Sequence, residues 1–313
     1  MRYAIPLRVV VAVCALLCWA PVPVAGQASL IDQAPMPGQA SIPDQAPIPD
    51  QAPIPDQAPI PGQAPAELRL MTFNIRHGMA DDGDHAWPNR RDLVAEIIRR
   101  EGADILAIQE ALDFQLEELA PVLAGYRKLG QHRDGGTGGE FSGLYVREDR
   151  VRLVDWGEFW LSPTPDVVAS RGWDAALHRM AVWADVVPEG SDAVARVYGT
   201  HFDHRGEVAR VESARLIAEH AAEAGRPTVV MGDLNVPDGS EAVRTFAGLG
   251  YRSAVVALHP DETRGTFNGF TDPQGGSRRI DHVLVGPGLR PTAAAILDDR
   301  ADGLFPSDHF PVV

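Results

Sequence analysis

Four short apolar segments of this chain end in side chains that can hold a divalent metal ion, a phosphate group or a proton. They are MTFN (residues 71–74), IQE (108–110), GDLN (232–235) and SDH (307–309). Each apolar run predicts a buried strand, so that the polar groups should lie at strand ends. There is no comparable cluster of cysteines. The combination indicates metal-assisted hydrolysis of a phosphoester.

Oxygen-bearing side chains are the expected metal ligands. Glu110 follows the apolar run 106–109, and a hard cation such as Mg²⁺ needs only one or two carboxylates because it keeps several waters. Asn74 could orient Glu110 or a metal-bound phosphate, and Asp308 could assist at the metal. Taken singly, Glu110 also fits a helix cap or a surface residue, and Asn74 an ordinary turn.

A second group of residues suits proton transfer and charge stabilisation. Strand alternation would place Asp233 and Asn235 on the same side, where the carboxylate could accept a proton from water while the amide holds the reactants. The His309 imidazolium could stabilise charge on a phosphoryl oxygen, with Asp281 as its orienting partner. A purely structural His–Asp pair is the alternative.

The segment GTHFDH (199–204) allows a different metal. His201, Asp203 and His204 resemble part of the zinc-binding run of metallo-β-lactamase-like hydrolases, but Gly199 stands where that run needs another histidine. We therefore expect His201 to face the same cleft as Asp233, with zinc as the alternative. Arg179 is a candidate phosphate contact, for which a buried ion pair is the alternative.

The amino-terminal quarter differs in composition from the rest. Residues 1–26 have the charge and apolar run of a secretory signal peptide, which also contains both cysteines, Cys14 and Cys18. A lipoprotein anchored at Cys18 is the alternative. Residues 27–66 repeat a proline-rich unit of six residues, interpreted as an extended or disordered spacer. The remainder, 67–313, is predicted to be one catalytic domain without disulfides, and we expect a monomer without stable membrane insertion.

Apolar periodicity predicts a mixture of βα units and antiparallel strands. A first helix should begin at Pro88 and end at Gly102, and Asp113 should cap the second. A third helix should span Glu207 to Ala224, and a fourth should lie near Ser240. The predicted strands cover residues 68–75, 105–108, 141–146, 151–161, 180–187, 194–202, 228–231, 279–285 and 305–313. This order favours an α/β sandwich of two mixed sheets packed face to face, with helices outside.

The motifs MTFNIR, AIQE, GTHFDH, MGDLN, RRIDHVLV and FPSDHFPV, in this order, resemble the endonuclease/exonuclease/phosphatase superfamily, which shares the fold of pancreatic deoxyribonuclease. The resemblance runs from Leu68 to the C-terminus. It implies a four-layer α/β sandwich with an Mg²⁺ or Mn²⁺ site at one end. The segment ADDGDHAWPNRRD further resembles a bacterial, often exported branch of that superfamily.

Carried over position by position, the resemblance assigns roles to the residues already singled out. Glu110 and Asn74 would serve at the metal, and His201 would face the phosphate. Asp233 and Asn235 would take part in catalysis, and Asp281 would orient the last histidine. Asp308 and His309 match the final Asp–His pair of the family.

The sequence thus predicts a secreted or periplasmic, Mg²⁺- or Mn²⁺-dependent phosphoesterase. Its substrate could be nucleic acid, a phospholipid head group, or a phosphorylated sugar or inositol. The formal net charge of −15 and the lack of an evident basic loop argue against long nucleic-acid contacts. The alternatives are a zinc hydrolase and an exported ligand-binding domain without catalysis.

Overall fold

The computed structural model describes residues 66–276 and 278–313. The predicted signal peptide and nearly all of the predicted spacer lie outside these residues, so both stay predictions. Within the described ranges, no helix combines the length and the apolar character needed to cross a membrane.

Four strands form the first sheet, in the order β1-β2-β4-β3. They are β1 (Leu70–Asn74), β2 (Ile105–Ala111), β3 (Tyr126–Leu129) and β4 (Phe141–Arg147). Strands β1 and β2 are parallel, whereas β4 runs antiparallel to both of its neighbours. Two helices, α1 (Trp87–Glu101) and α2 (Asp113–Leu119), supply apolar side chains that pack with those of this sheet in one buried cluster.

Six strands form the second sheet, in the order β5-β6-β7-β8-β10-β9. They are β5 (Val151–Trp160), β6 (Met180–Pro188), β7 (Ala195–His201), β8 (Thr228–Asp233), β9 (Arg252–Ser253) and β10 (Asp281–Val285). Strands β7 and β8 are parallel, and the other pairs are antiparallel. Helices α3 (Glu207–Ala224) and α4 (Glu241–Ala247) contribute to its outer apolar cluster.

The two sheets pack against each other through a shared apolar core. Strand β2 shows how the sequence builds it, because its side chains alternate between the two faces of the sheet. Ile105 and Ala107 join the core between the sheets, whereas Leu106 and Ile108 join the cluster that contains α1. The arrangement is a four-layer sandwich of helices, sheet, sheet and helices, and the fold prediction is confirmed.

Local signals placed the two long helices correctly. Pro88 lies in the first turn of α1, where a missing N–H costs nothing, and Gly102 ends that helix in the left-handed conformation at φ 53°. Helix α3 spans the predicted residues and ends at Gly225, which is also left-handed at φ 62°.

Two predictions about elements were wrong, and two short elements were missed. Asp113 does not cap α2: it is the first helical residue, Leu112 occupies the cap position, and the Gln115 side chain accepts the Leu112 N–H. Residues 305–313 form isolated bridges, including one between Thr72 and Val312, instead of a regular strand. Strand β3 and the short helix α5 (Ala254–Leu258) were not predicted, because neither is long enough to show a period.

Candidate active site

Strand direction explains why distant parts of the sequence meet at one rim of the sandwich. Parallel strands β1 and β2 bring Asn74 beside Gln109, next to Glu110. Parallel strands β7 and β8 end side by side at His201 and Asp233. Strand β10 runs the other way, so its first residue, Asp281, is the register partner of Asp233.

Asn74 connects the two sheets. Its Nδ2 donates to Glu110 Oε1 at 2.9 Å and to Asp233 Oδ2 at 3.0 Å. Its Oδ1 accepts the backbone N–H of Arg76 at 3.0 Å, which fixes the orientation of the amide. Ser307 Oγ donates to the Asn74 backbone carbonyl at 2.7 Å, so the C-terminal segment joins the same residue.

Glu110 occupies an unusual backbone position. Its φ is 63°, and the pairing of β2 with β4 shifts register between Ile108 and Ala111, so a bulge turns its side chain into the site. The backbone N–H of His77 donates to Oε2 at 3.1 Å. Burial opposes ionisation, but the His309 charge and the Asn74 hydrogen bond outweigh it and lower the Glu110 pKa, so the carboxylate is charged.

Asp233 is buried at the centre of the site. Its Oδ2 lies 3.4 Å from His201 Nε2 and 3.8 Å from His309 Nε2. Burial, and next the charge of Asp281, raise the pKa of Asp233 to about 7, although His309 acts in the opposite direction. A carboxyl group with this pKa is suited to accept a proton near neutral pH.

The two histidines are in opposite protonation states. His309 Nδ1 lies 2.8 Å from Asp281 Oδ2. Burial disfavours its charge, but Asp281 and Asp233 overcome this and raise the His309 pKa well above its usual range. Burial, and next the Arg179 and Arg133 charges, hold the His201 pKa well below its usual range. At neutral pH, His309 is therefore an imidazolium and His201 a neutral imidazole.

Asn235 does not alternate with Asp233 as predicted. The chain turns directly after β8, and Asn235 has a left-handed φ of 52°. Its backbone N–H donates to Asp233 Oδ1 at 2.8 Å, and its side-chain Nδ2 donates to the Phe202 carbonyl at 3.1 Å. Asn235 thus orients the Asp233 carboxylate through its backbone.

Asp308 lies beside the site. Its Oδ2 is 3.7 Å from Arg76 Nη1, and Ser307 Oγ donates to its Oδ1 at 3.3 Å. Burial, partly offset by the charge of His309, raises its pKa. In the described part of the chain, Asp308 belongs to neither of the side-chain groups that are close enough to share an ion.

Asp203 and His204 do not join His201 in a zinc site. Both oxygens of Asp203 are occupied by backbone N–H groups, from Ala176 and Leu177 at Oδ2 and from Arg205 and Gly206 at Oδ1. His204 is exposed. Over residues 66–276 and 278–313, the groups that could hold an ion include His201 but neither Asp203 nor His204. The zinc interpretation has no support in this geometry.

Arg179 lies directly before β6 and is only 4% exposed. Its Nε is 4.0 Å from Asp203 Oδ2, a distance too long for a hydrogen bond. Sequence reasoning missed two neighbours, Arg133 and Glu140, whose side chains pair at 2.5 Å. They belong to a glycine-rich loop without periodicity, and only the folded chain shows that they approach the site.

Arg90 is a further residue that the sequence analysis missed. It is completely buried in α1 and donates to the carbonyls of Ile75, Pro306, His85 and Arg76. It ties the end of β1 to the segment that carries Asp308 and His309. In the sequence it looks like one more charged residue on an amphipathic helix.

The residues present fit a hard divalent cation. Glu110, His201 and Asp233 place one ligand atom each within 4.8 Å of one another, and Asp233, Asp281 and His309 form a second such group. The first group offers a charged carboxylate and a neutral imidazole. Asp281 Oδ1 is buried and has no hydrogen-bond partner among the described residues. Oxygen-rich sets of this kind suit Mg²⁺ or Mn²⁺, whereas thiolate sulfur would favour softer ions.

Comparison with known proteins agrees with this fold. An endonuclease/exonuclease/phosphatase from Bacteroides vulgatus is 33% identical, with a TM-score of 0.69, and the match covers 78% of this chain and 96% of that one. A mannosyl-6-phosphatase from Bacteroides thetaiotaomicron is 32% identical, with a TM-score of 0.71, over 79% and 98% of the two chains.

A curated relative, uncharacterized protein L388 of Acanthamoeba polyphaga mimivirus, is 26% identical over 165 residues, which are 49% of this chain. The chain spans 61% of the length of that relative. The pattern of the endonuclease/exonuclease/phosphatase family matches residues 71–309, a range that contains all the residues described at this rim. The chain belongs to the endonuclease/exonuclease/phosphatase family.

Proposed function

We propose that this protein is a divalent-metal-dependent phosphoesterase. Members of its family are phosphoester hydrolases, and a mannosyl-6-phosphatase is among the structures similar to it. The observation that carries the proposal is the contact between the two sheets at Asn74, which joins Glu110 to Asp233. Two carboxylates, an amide, one protonated histidine and one neutral histidine then share one buried rim.

Glu110 would hold the ion, Asn74 would orient the Glu110 carboxylate through its Nδ2, and Asp308 lies close by. A bound Mg²⁺ or Mn²⁺ would help to neutralise the negative charge of the phosphoryl group. Glu110 suits this role because its lowered pKa keeps it ionised. Asp308 is the weaker candidate, since its pKa is raised and Arg76 lies 3.7 Å away.

Asp233 would act as the general base. A water molecule attacks phosphorus in line with the leaving oxygen, and Asp233 takes the proton of that water as the new P–O bond forms. The ester P–O bond breaks on the opposite side, and its electron pair leaves with the alcohol oxygen. Asn235 keeps the Asp233 carboxylate oriented through its backbone N–H.

The histidines would stabilise charge on the phosphoryl oxygens. His309 carries a positive charge that Asp281 maintains, so it can donate from Nε2 to an oxygen as charge builds. His201 is neutral and can act as a hydrogen-bond donor without repelling the neighbouring cations. Arg179 is the proposed contact for a further phosphate oxygen.

Phosphorylated sugars are the substrate class that we favour. A mannosyl-6-phosphatase matches 79% of this chain at 32% identity. The net charge of −15 argues against long nucleic-acid ligands, because such proteins bind DNA through extended basic surfaces. Nucleic acid, phospholipid head groups and inositol phosphates are the competing substrates.

The proposal is tested with three single substitutions, Glu110→Gln, Asp233→Asn and His309→Gln. Each should lower kcat by about 100-fold or more, because each removes a preorganised charge or donor. Hydrolysis is measured in Mg²⁺ and in Mn²⁺ against mannose 6-phosphate, an inositol phosphate, sphingomyelin, DNA and RNA. Asp92→Asn, at an exposed carboxylate of α1, is the control.

Two results would contradict the proposal. One is full activity in any two of the three variants. The other is tight binding of a substrate without turnover in either metal, which would favour an exported binding domain instead.

Export of the chain is a separate part of the proposal. It is supported only by the signal-peptide pattern of residues 1–26 and by the proline-rich repeat that follows. We propose a secreted or periplasmic enzyme, cleaved near Gly26.

A further inference from the structure

Two buried guanidinium groups close to the candidate active site have unused hydrogen-bond donors. Arg179 is 4% exposed, and its Nε and Nη1 are buried without a hydrogen-bond partner among the described residues. The Nε of Arg133 is in the same condition, and its side chain is 12% exposed. Buried N–H groups of a charged side chain are costly to leave unpaired. Such donors therefore point to a ligand.

The carboxylates of the described residues leave N–H groups of both arginines without a hydrogen bond. Glu140 is the carboxylate that binds Arg133, at 2.5 Å. Asp203, the carboxylate nearest to Arg179, already accepts four backbone N–H groups and lies at 4.0 Å. Glu140 is thus paired with Arg133, Asp203 uses both of its oxygens elsewhere, and no carboxylate in the described part of the chain accepts a hydrogen bond from Nε or Nη1 of Arg179.

Backbone pairing places Arg179 near the proposed base, because the strand that it precedes pairs Ala181 with Thr200, the residue before His201. The charges of both Arg179 and Arg133 act on His201, whose Nε2 is 3.4 Å from Asp233. Arg179 is in turn influenced by the charges of Asp233 and Glu110. Arg179 therefore lies on the His201 side of the site, and Arg133 is near enough for its charge to act on the same histidine.

We propose that Arg133 and Arg179 form a phosphate-binding subsite that selects a monoester over a diester. This inference rests on the proposed function and names the substrate class for that site. A phosphate monoester dianion has three non-bridging oxygens, so after the metal and His309 each contact one, the third is available to the arginines together with the neighbouring His201. Guanidinium groups match such oxygens in charge and in geometry.

A diester fits the same subsite poorly. It carries only one negative charge and two non-bridging oxygens, and its second ester group would bring carbon atoms to this position. The N–H groups of Arg133 and Arg179 would then stay buried and unpaired, at a cost that the monoester avoids.

The test compares two esters with the same leaving group, p-nitrophenyl phosphate and bis(p-nitrophenyl) phosphate, on the full chain in Mg²⁺. Wild type should prefer the monoester. Arg133→Gln and Arg179→Lys should each lower the ratio of monoester to diester kcat/KM by about 10- to 100-fold, the effect of losing a charge-assisted hydrogen bond. Arg150→Gln is the matched control, because that arginine is half exposed and pairs with Glu189 away from the site.

A second readout does not depend on turnover. Inorganic phosphate should bind the wild type in calorimetry at least about tenfold more tightly than either arginine variant. Circular dichroism and Tm identify a variant that fails to fold, in which case the other arginine variant carries the test.

The possible outcomes separate the two proposals. Lower Tm with unchanged phosphate affinity and unchanged substrate ratio would make the arginines a structural ion cluster and overturn the subsite. A wild-type preference for the diester would also overturn the subsite. If Glu110→Gln then hydrolysed neither ester, the phosphoesterase proposal would still hold. Hydrolysis of neither ester nor any natural substrate would overturn the phosphoesterase, and phosphate calorimetry would still decide the subsite.

Discussion

Asp233 and His309 illustrate how burial and neighbours set protonation at single residues. Burial, and next the nearby Asp281 charge, raise the Asp233 pKa to about 7. The same Asp281 charge raises the pKa of His309, which burial alone would lower. The Asp281 carboxylate therefore has two effects. It keeps Asp233 able to accept a proton near neutral pH, and it keeps His309 positively charged.

This arrangement predicts the effect of Asp281→Asn on the pH profile. Without the Asp281 charge, the His309 pKa should fall, so that the imidazolium is lost at lower pH than in wild type. Activity should drop by about 100-fold at pH 8 and less at pH 6, where His309 would still be protonated in part. The measurement is kcat from pH 5.5 to 9 at saturating metal, with Asp92→Asn as the control. An equal loss at every pH would contradict this account.

Residue identities could be predicted more readily than their contacts. Glu110, Asp233 and His309 were predicted because each follows or opens an apolar run that ends at one rim. The role of Asn235 was misjudged, since strand alternation fails where the backbone turns into the left-handed region. Arg133 and Glu140 were missed because nothing local distinguishes them from a solvated loop.

At the scale of elements, Arg90 of α1 holds two distant segments in place. Its guanidinium donates to Ile75 and Pro306, at 2.7 and 2.9 Å. These carbonyls lie next to Asn74 on one side and to the Ser307–Asp308–His309 segment on the other. The burial that this requires lowers the Arg90 pKa to about 10.

Replacing Arg90 by Met should therefore affect both stability and activity. The free energy of unfolding should fall by roughly 2–4 kcal/mol, because several buried carbonyls lose their donor. Activity of the folded variant should also fall, since the C-terminal segment would no longer be tied to β1. Urea unfolding and kcat/KM below Tm measure the two effects.

Arg91→Met provides the matched control, because the Arg91 side chain is 37% exposed on the same helix. A stability loss in Arg90→Met without any change in kcat/KM would refute its positioning role.

Elements with strong caps and long periods were predictable, and irregular ones were not. Helices α1 and α3 begin and end close to where proline and glycine signals placed them. Residues 305–313 read as a strand because they are apolar, yet they pair only through isolated bridges. Their apolar character reflects burial between other elements, which a single-sequence pattern does not distinguish from a ladder.

At the scale of the whole molecule, all the catalytic candidates come from residues 66–313. The buried clusters of both sheets do as well. Fold class was predictable from the order of elements, whereas the pairing of β7 with β8 and β10 depends on contacts far apart in sequence.

Residues 1–65 are predicted to be a signal peptide and a spacer, so their removal is expected to leave the catalytic domain unaffected. A chain that begins at Ala66 should have the same Tm and kcat/KM as one that begins at Gln27, and, unlike the full chain, it should not be exported. Calorimetry, kinetics and cell fractionation measure the three properties. A clear loss of Tm or kcat/KM would show that the proline-rich repeat takes part in the domain.

Because Asn74 makes hydrogen bonds to both sheets, catalysis depends on the distance between the two sheets. One amide group must touch carboxylates from opposite halves of the sandwich, and such bonds tolerate errors of only a few tenths of an ångström. A larger or smaller side chain in the core between the two sheets, far from any substrate, would therefore lower the activity before it unfolded the protein. The loops around the rim are free of that constraint, so new substrates can be accommodated there while the interior stays unchanged.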